Sequence, residues 1–264
     1  MPSEEPGGSR PRPVRCLVRR PSPRLADGLL THLERVPVDA DLARRQWRAY
    51  VDALEAEGWE TIEVPPLDDA PDGAFVEDAL VTFDDLAVTT RPGAPERRVE
   101  TASLAAAADA LGLERVALPA PARLDGGDVL KVGRTAYVGL GGRTDRAGVE
   151  ALGRAIGPRG WTVVPVPVTR ALHLKSAVTA LPDGTVIGHP ATVDDPARFP
   201  DFLAVPEPEG AHAVVLGDAR VLISAGAPRT IELLGRRGVE AVAVEIGEFE
   251  KLEGCVTCLS VRVR

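Results

Sequence analysis

The sequence predicts an α/β protein of five ββαβ units arranged in a ring, a propeller-like architecture. Short Val-rich runs bounded by turn residues recur along the chain and are typical of strands. Amphipathic helical segments lie between them. The order strand, strand, helix, strand repeats, and a fifth unit is complete if the C-terminal strand precedes the first strand. An open mixed α/β sheet is the alternative, because the units share little sequence.

The predicted strands are short, and their order along the chain groups them into units. One stretch, 177–205, fits the repeat loosely, because D-D-P-A-R-F-P-D-F is a poor helix. The strands are predicted at Val14–Arg19, Thr61–Val64, Ala79–Thr82, Leu86–Thr89, Val116–Leu118, Val129–Val132, Thr135–Val138, Thr162–Val166, Ala177–Ala180, Thr185–Ile187, Ala213–Leu216, Arg220–Ile223, Ala241–Val244 and Leu259–Val263.

Four helices are predicted from apolar residues three or four positions apart and from end signals. Asp39–Glu57 and Thr101–Leu111 each carry an apolar face and precede a glycine. Thr144 is expected to cap a helix whose apolar face ends at Ile156. Pro228–Arg237 begins with proline, which is favoured in the first turn.

Composition narrows the class of protein. We expect residues 1–12 to form a disordered polar tail and residues 13–264 to form a single folded domain. The net charge of −8 argues against nucleic-acid binding. No apolar run approaches the roughly 20 residues of a membrane span, and the N-terminus lacks an apolar signal core. Three cysteines fit a reducing cytoplasm better than a disulfide framework.

A cysteine near the C-terminus and a histidine in the middle of the chain form a candidate nucleophile–acid pair. Cys258, in G-C-V-T-C-L-S, and His173, in L-H-L-K-S, are each expected on apolar strands. A thiol becomes nucleophilic when a nearby cation or imidazolium lowers its pKa. Taken alone, Cys258 could be a small buried hydrophobe and His173 a core histidine, and both alternatives stay open.

Cys255 forms a C-x-x-C pair with Cys258. Redox dithiols of this spacing usually open a helix, whereas this pair leads into a predicted strand. No second C-x-x-C and no neighbouring histidine completes a zinc site. We therefore expect neither a redox nor a metal-binding role for the pair.

Acidic residues in P-D-G-A-F-V-E-D could hold a cationic substrate against the thiolate. The candidates are Asp72, Glu77 and Asp78. Side chains alternate along a strand, so Glu77 and Asp78 could face one ligand only across a bend or bulge. An exposed acidic turn is the alternative.

Three further residues complete the candidate site. Asp125, in L-D-G-G-D, could orient a histidine, since the glycines permit a tight turn. Arg97 and Arg143 follow strand ends, and either could hold a carboxylate through two hydrogen bonds. The alternatives are a hairpin turn for Asp125 and surface positions for the two arginines.

Six spaced segments together resemble the dimethylarginine dimethylaminohydrolase family, also called dimethylargininases. They are F-V-E-D, R-P-G-A-P-E-R-R, L-D-G-G-D-V-L, Y-V-G-L with a following R-T, L-H-L-K-S and G-C-V-T-C-L-S. The resemblance runs in order from about residue 14 to the C-terminus. It implies the five-bladed α/β-propeller (pentein) fold of the guanidino-group-modifying enzymes, which agrees with the five units counted above.

The resemblance also implies residue roles. Cys258 matches the nucleophile, His173 the general acid and then base, and Asp125 the partner of that histidine. The matched substrate contacts are Asp72, Glu77 and Asp78 at the guanidinium, Arg97 and Arg143 at the α-carboxylate, Leu29 on a mobile lid and the backbone carbonyl of Leu252 at the α-amino group.

The resemblance implies hydrolysis of dimethyl- or monomethyl-L-arginine to L-citrulline and an alkylamine through a covalent thiouronium. It implies no cofactor, although zinc bound to the thiolate could inhibit. A methylated arginine is the expected partner, and a homodimer is left open. The alternatives are an arginine deiminase, disfavoured because no long helical insertion is visible, and a non-catalytic arginine-binding protein, disfavoured because Cys258 and His173 are both present.

Overall fold

A computed structural model describes residues 14–263, so the predicted tail at residues 1–12 lies outside the described residues. Within this span the strands form five three-stranded sheets. The strands, grouped by sheet, are β1 (Arg15–Val18), β2 (Glu60–Glu63) and β15 (Val261–Val263); β3 (Leu80–Phe83), β4 (Leu86–Thr89) and β5 (Glu114–Ala117); β6 (Val129–Val132), β7 (Thr135–Leu140) and β8 (Thr162–Pro167); β9 (Val178–Ala180), β10 (Val186–Gly188) and β11 (Phe202–Ala204); and β12 (Ala213–Gly217), β13 (Arg220–Ser224) and β14 (Glu240–Val244).

Each sheet has the same pairing. The middle strand is antiparallel to one neighbour and parallel to the other, as β4 is to β3 and β5. The C-terminal strand β15 pairs antiparallel with β1, with Arg15 opposite Val263. The two ends of the described chain therefore close one blade, and the predicted five-bladed α/β-propeller is confirmed.

The sheets pack side by side around an axis. Five apolar clusters lie within the described chain, one between each pair of adjacent sheets. Leu17 of the first blade, for example, shares a cluster with Leu80 of the second. The innermost strands meet directly, as β15 does with β3 and β6 with β9. Loops at the ends of these inner strands therefore converge at the axis, where the candidate residues lie.

The helices follow the predicted pattern, with one short addition. They are α1 (Ala40–Ala56), α2 (Thr101–Ala110), α3 (Arg146–Ile156), α4 (Pro228–Arg236) and α5 (Gly247–Glu250). The carboxylate of Asp39 accepts the backbone N–H of Leu42 at 2.9 Å and begins α1. Trp47, Tyr50 and Leu54 form the buried face of this helix. In the described part of the chain, no helix is both long enough and apolar enough to cross a membrane.

The predicted cap of the third helix is wrong. Asp145, and not Thr144, caps α3, since its carboxylate accepts the backbone N–H of Gly148 at 2.8 Å. The Thr144 hydroxyl instead donates to Asp128 at 2.6 Å. In the fourth blade a short 3₁₀ turn at Pro196–Arg198 replaces the connecting helix and leads to β11, which the sequence pattern did not reveal.

Candidate active site

The candidate nucleophile lies in a turn at the entrance to β15, and not on the strand as predicted. The backbone N–H of Cys258 donates to the carbonyl of Cys255 at 3.1 Å, which closes the turn. The carbonyl of Cys258 accepts the N–H of Glu77 at 3.2 Å. Cys258 is therefore hydrogen-bonded to the loop before β3 of the second blade and not to a neighbouring strand. This turn holds the Cys258 thiol at the wall of a pocket, with 5% of the residue exposed.

The pocket is small and brings together most of the predicted residues. It encloses about 20 Å³, room for about one water molecule. Its wall contains Leu29, Asp72, Phe75, Asp78, Arg97, Arg143, Leu172, Leu252, Glu253, Gly254 and Cys258. An amino acid therefore cannot enter unless part of this wall moves.

His173 adjoins the pocket as part of a buried polar pair. It lies in a loop before the short 3₁₀ turn Leu174–Ser176, which corrects the predicted strand. Its Nε2 lies 2.9 Å from Oδ2 of Asp125, and its Nδ1 lies 3.8 Å from Oδ1 of Asp78. Asp78 borders the same pocket as Cys258.

The surrounding carboxylates keep the imidazole protonated. Burial by itself disfavours the charged ring, but the charge of Asp78, the hydrogen bond to Asp125 and the charge of Asp128 outweigh burial and raise the pKa of His173 to about 9. Burial likewise opposes ionisation of Asp78, yet the charges of His173 and Arg97 lower the pKa of this carboxyl to about 2. At neutral pH the group is an imidazolium, ready to donate a proton.

Asp128 is a buried carboxylate that positions the histidine loop. Its Oδ1 accepts the backbone N–H of Leu174 at 2.9 Å, next to His173, and its Oδ2 accepts the Thr144 hydroxyl. Burial raises the pKa of Asp128 to about 6 despite those hydrogen bonds. The neighbouring Gly127 has to be a glycine, because a Cβ there would lie 2.7 Å from Nδ1 of His173.

Arg97 borders the pocket but directs its donors into the protein. Its Nε and Nη2 donate to the carboxylate of Glu100 at 2.9 and 2.7 Å, and its Nη1 donates to Asp78. Nη2 also reaches the carbonyl oxygens of Asp72 and Phe75 at 3.2 and 3.0 Å. This geometry holds the pocket carboxylates in place and leaves Arg97 little donor capacity for a substrate.

Arg143 has the capacity that Arg97 lacks. Its Nη1 is buried and makes no hydrogen bond, and the nearest acidic oxygen, Oδ2 of Asp125, is 3.8 Å away. Its Nη2 makes only a long contact of 3.5 Å with the hydroxyl of Thr31. A buried guanidinium N–H without a partner costs free energy, and a carboxylate in the pocket would satisfy it.

Glu77 and Asp78 point in different directions. A 3₁₀ turn at Val76–Asp78 separates their side chains. Asp78 borders the pocket, whereas the carboxylate of Glu77 pairs with Nζ of Lys175 at 2.6 Å and with Arg262. The structure therefore does not place Glu77 in the pocket wall beside Asp72 and Asp78.

The segment that carries Leu29, predicted as a mobile lid, borders the pocket. The Leu29 N–H lies 3.2 Å from both carboxylate oxygens of Asp72. The carboxylate of Glu253 accepts three further N–H groups of the same segment, including those of Thr31 at 2.9 Å and Leu33 at 3.0 Å. The backbone of Glu253 has φ of 61°, a conformation that non-glycine residues rarely adopt. The carboxylates of Asp72 and Glu253 therefore fix this segment beside the pocket.

Three of these groups have the spacing of a metal site. One ligand atom each from Asp78, Asp125 and His173 lies within 4.8 Å of the others. Both carboxylates already accept hydrogen bonds, Asp78 from Gly127 and Asp125 from the N–H of Gly93 at 2.7 Å. The arrangement is thus satisfied as a hydrogen-bonded acid–base cluster.

Comparison with known proteins identifies the family of this chain. The dimethylarginine dimethylaminohydrolase of Streptomyces coelicolor is 62% identical over 250 residues, which cover 95% of this chain and 97% of that protein. The chain belongs to the dimethylarginine dimethylaminohydrolase family. No family model matched the sequence.

Solved structures of the dimethylarginine dimethylaminohydrolase family confirm the fold. A cysteine-to-serine variant of the Pseudomonas aeruginosa enzyme, complexed with citrulline, superposes with a TM-score of 0.87 at 30% identity, covering 94% of this chain and 98% of that one. A histidine-to-glycine variant of a dimethylarginine dimethylaminohydrolase, in an adduct with S-methyl-L-thiocitrulline, gives a TM-score of 0.86 at 29% identity, with the same coverage.

Sequence reasoning missed several residues that build the site. Glu100 and Glu253 are acidic residues in otherwise unremarkable segments, and nothing local shows that one holds Arg97 and the other holds the lid. Asp128 was visible as the second carboxylate of L-D-G-G-D, but its contact with the histidine loop depends on residues 46 positions away.

Proposed function

We propose that this enzyme hydrolyses Nω-methylated L-arginine to L-citrulline and an alkylamine, with Cys258 as the nucleophile. One observation carries the proposal. A single pocket contains the Cys258 thiol, the carboxylates of Asp72 and Asp78, and the unpartnered Nη1 of Arg143. These groups complement an amino acid that has a guanidinium at one end and a carboxylate at the other.

The first step depends on the charge of the substrate. In the free enzyme the charges of Glu77 and Asp78 contribute to raising the pKa of Cys258, after the contact with Cys255 and burial. A bound guanidinium would offset those negative charges and favour the thiolate. Attack of the thiolate on the guanidinium carbon gives a tetrahedral adduct.

His173 would then act twice. As an imidazolium it donates its proton to the departing alkylamine, which leaves a covalent thiouronium on Cys258. As a neutral imidazole it accepts a proton from the attacking water, and citrulline is released. Asp125 fixes the ring by its 2.9 Å contact with Nε2 and stabilises the charged form. This chemistry assigns no step to a metal or an organic cofactor.

The other proposed substrate contacts follow if the guanidinium lies beside Cys258 and the carboxylate lies beside Arg143. Arg143 would bind the α-carboxylate, and the carbonyl of Leu252 would accept the α-amino group. Arg97 would support Asp72 and Asp78 more than it binds substrate, because Glu100 and Asp78 occupy its donors. Lid opening at Leu29 would admit the substrate.

Citrulline formation from dimethylarginine, monomethylarginine and unmethylated arginine tests the proposal. We expect kcat/KM to be higher for the two methylated substrates than for unmethylated arginine. A higher kcat/KM for arginine would indicate a deiminase, and binding without turnover would indicate an arginine-binding protein. The expected homodimer and cytoplasmic location stay predictions, which light scattering and cell fractionation would test.

A further inference from the structure

The nucleophile has a second thiol in contact with it. The Sγ atoms of Cys255 and Cys258 lie 3.2 Å apart, although the sequence pattern argued against a joint role for them. Both residues are buried, with 1% and 5% of their surface exposed. All three cysteines are free thiols, and Cys16 lies on β1, outside this pair. The mechanism above makes no use of Cys255.

The backbone at this pair suits a covalent link. The N–H of Cys258 bonds to the carbonyl of Cys255, and a turn closed in this way brings its first and last Cα atoms within about 7 Å. Disulfides span about 4.4–6.8 Å between Cα atoms. A bond between the two sulfurs would therefore need little movement of the chain.

The two thiols also differ in access. Cys258 borders the substrate pocket, whereas Cys255 does not belong to its wall and contacts the Thr257 hydroxyl at 3.2 Å. A small reagent that enters the pocket reaches the Cys258 sulfur first. Cys255 is then the nearest group able to resolve the product.

The contact between the sulfurs makes one thiolate available. The hydrogen bond with Cys258 lowers the pKa of Cys255 to about 5, and the same contact raises the pKa of Cys258 well above its usual value. The first deprotonation belongs to the coupled pair of thiols and not to one of them, so the thiolate charge is shared between the two sulfurs. The sulfur pair therefore supplies both the thiolate and the thiol that disulfide formation requires.

We propose that Cys255 and Cys258 form a reversible modification site that reacts with hydroperoxides. The proton shared by the pair passes to Cys255 as the Cys258 sulfur attacks the hydroperoxide oxygen that carries hydrogen. The O–O bond breaks, and the alkoxide or hydroxide takes a proton from water and leaves as alcohol or water. The Cys255 sulfur then attacks the sulfenic sulfur, an S–S bond forms, and the hydroxyl leaves with the Cys255 proton as water. The two thiols are oxidised by two electrons, and the hydroperoxide is reduced.

The disulfide would have two effects: it would block turnover, and it would protect Cys258 from irreversible oxidation. Its effect on activity rests on the proposed role of Cys258 as nucleophile, since a sulfur in a disulfide cannot attack a guanidinium. Trapping the sulfenic acid as a disulfide keeps Cys258 from reaching the irreversible sulfinic state. A dithiol reductant reverses the step by thiol–disulfide exchange.

The test compares the wild type with Cys255→Ser and Cys16→Ser after treatment with hydrogen peroxide. Cleavage after Lys251 and Arg262 releases a peptide, residues 252–262, that contains both cysteines. We expect the wild-type and Cys16→Ser peptides to lose two hydrogen masses. Activity should fall in proportion to that species and return fully with dithiothreitol. Each variant is compared with its own untreated activity.

The Cys255→Ser variant should lose activity that dithiothreitol restores only in part, with sulfinic acid at Cys258. Direct oxidation of wild-type Cys258 to sulfinic acid, or a disulfide that includes Cys16, would overturn the proposal. The mass measurement does not depend on turnover. A disulfide in a protein that forms no citrulline would therefore refute the proposed function and leave the modification site intact.

Discussion

The charge of the His173 imidazole depends on Asp125, and Asp125→Asn should expose this dependence. The pKa of about 9, against an ordinary value of 6.5, corresponds to about 3 kcal/mol in favour of the imidazolium. A hydrogen bond to a charged group contributes about 1.5–3 kcal/mol, which equals about one to two pKa units. The remaining charge of Asp78 continues to favour the imidazolium, so the pKa of His173 should fall only to about 7–8.

The dependence of kcat on pH measures this effect. Amine release requires the imidazolium, so kcat falls as the pH rises through the pKa of His173 in the bound enzyme. This fall of kcat at high pH is the basic limb of the pH profile. In Asp125→Asn the basic limb should move to lower pH by about one to two units. Asp195→Asn, which changes a carboxylate at the 3₁₀ turn of the fourth blade, is the matched control and should leave the limb in place. An unchanged basic limb in Asp125→Asn would refute the coupling of Asp125 to His173.

Four further predictions follow from the site. Cys258→Ser should abolish turnover while calorimetry still detects substrate binding; residual turnover near the wild-type rate would reassign the nucleophile. Arg143→Ala should weaken binding of arginine-type ligands by about 2–5 kcal/mol, with agmatine, which lacks the carboxylate, nearly unaffected; equal losses for both would contradict the carboxylate role. Glu253→Ala should raise KM and speed trypsin cleavage after Arg35, because the lid loses its acceptor; unchanged cleavage would argue against the latch. Between pH 6.5 and about 9 the folded state keeps a proton on His173 that the unfolded chain loses, so this contribution to the unfolding free energy falls as the pH rises. Denaturant titrations at several pH values would give the unfolding free energies of the wild type and His173→Ala. Plotted against pH, these free energies should have different slopes across that window, and equal slopes would contradict the prediction.

The sequence by itself determined the blades. Strands such as Leu86–Thr89 and Val129–Val132 have the predicted bounds, because turn residues mark both ends of these short Val-containing runs. The helices also follow from local signals, with α1 one residue shorter at each end than predicted. The order of the units predicted that the C-terminal strand joins the first blade, and the pairing of β15 with β1 confirms it.

Tertiary structure decided the directions of the site side chains. Adjacent carboxylates at Glu77 and Asp78 separate because Lys175 and Arg262 attract one, while Arg97 and Gly127 hold the other. None of these partners is a near neighbour in sequence.

The same reason applies to the sulfur pair and the lid. Cys255 meets Cys258 because the chain turns just before β15. Glu253 holds the lid through N–H groups more than 200 residues away in sequence. Local propensity acts over a few residues, whereas the orientation of a side chain in a loop depends on whatever the fold brings beside it.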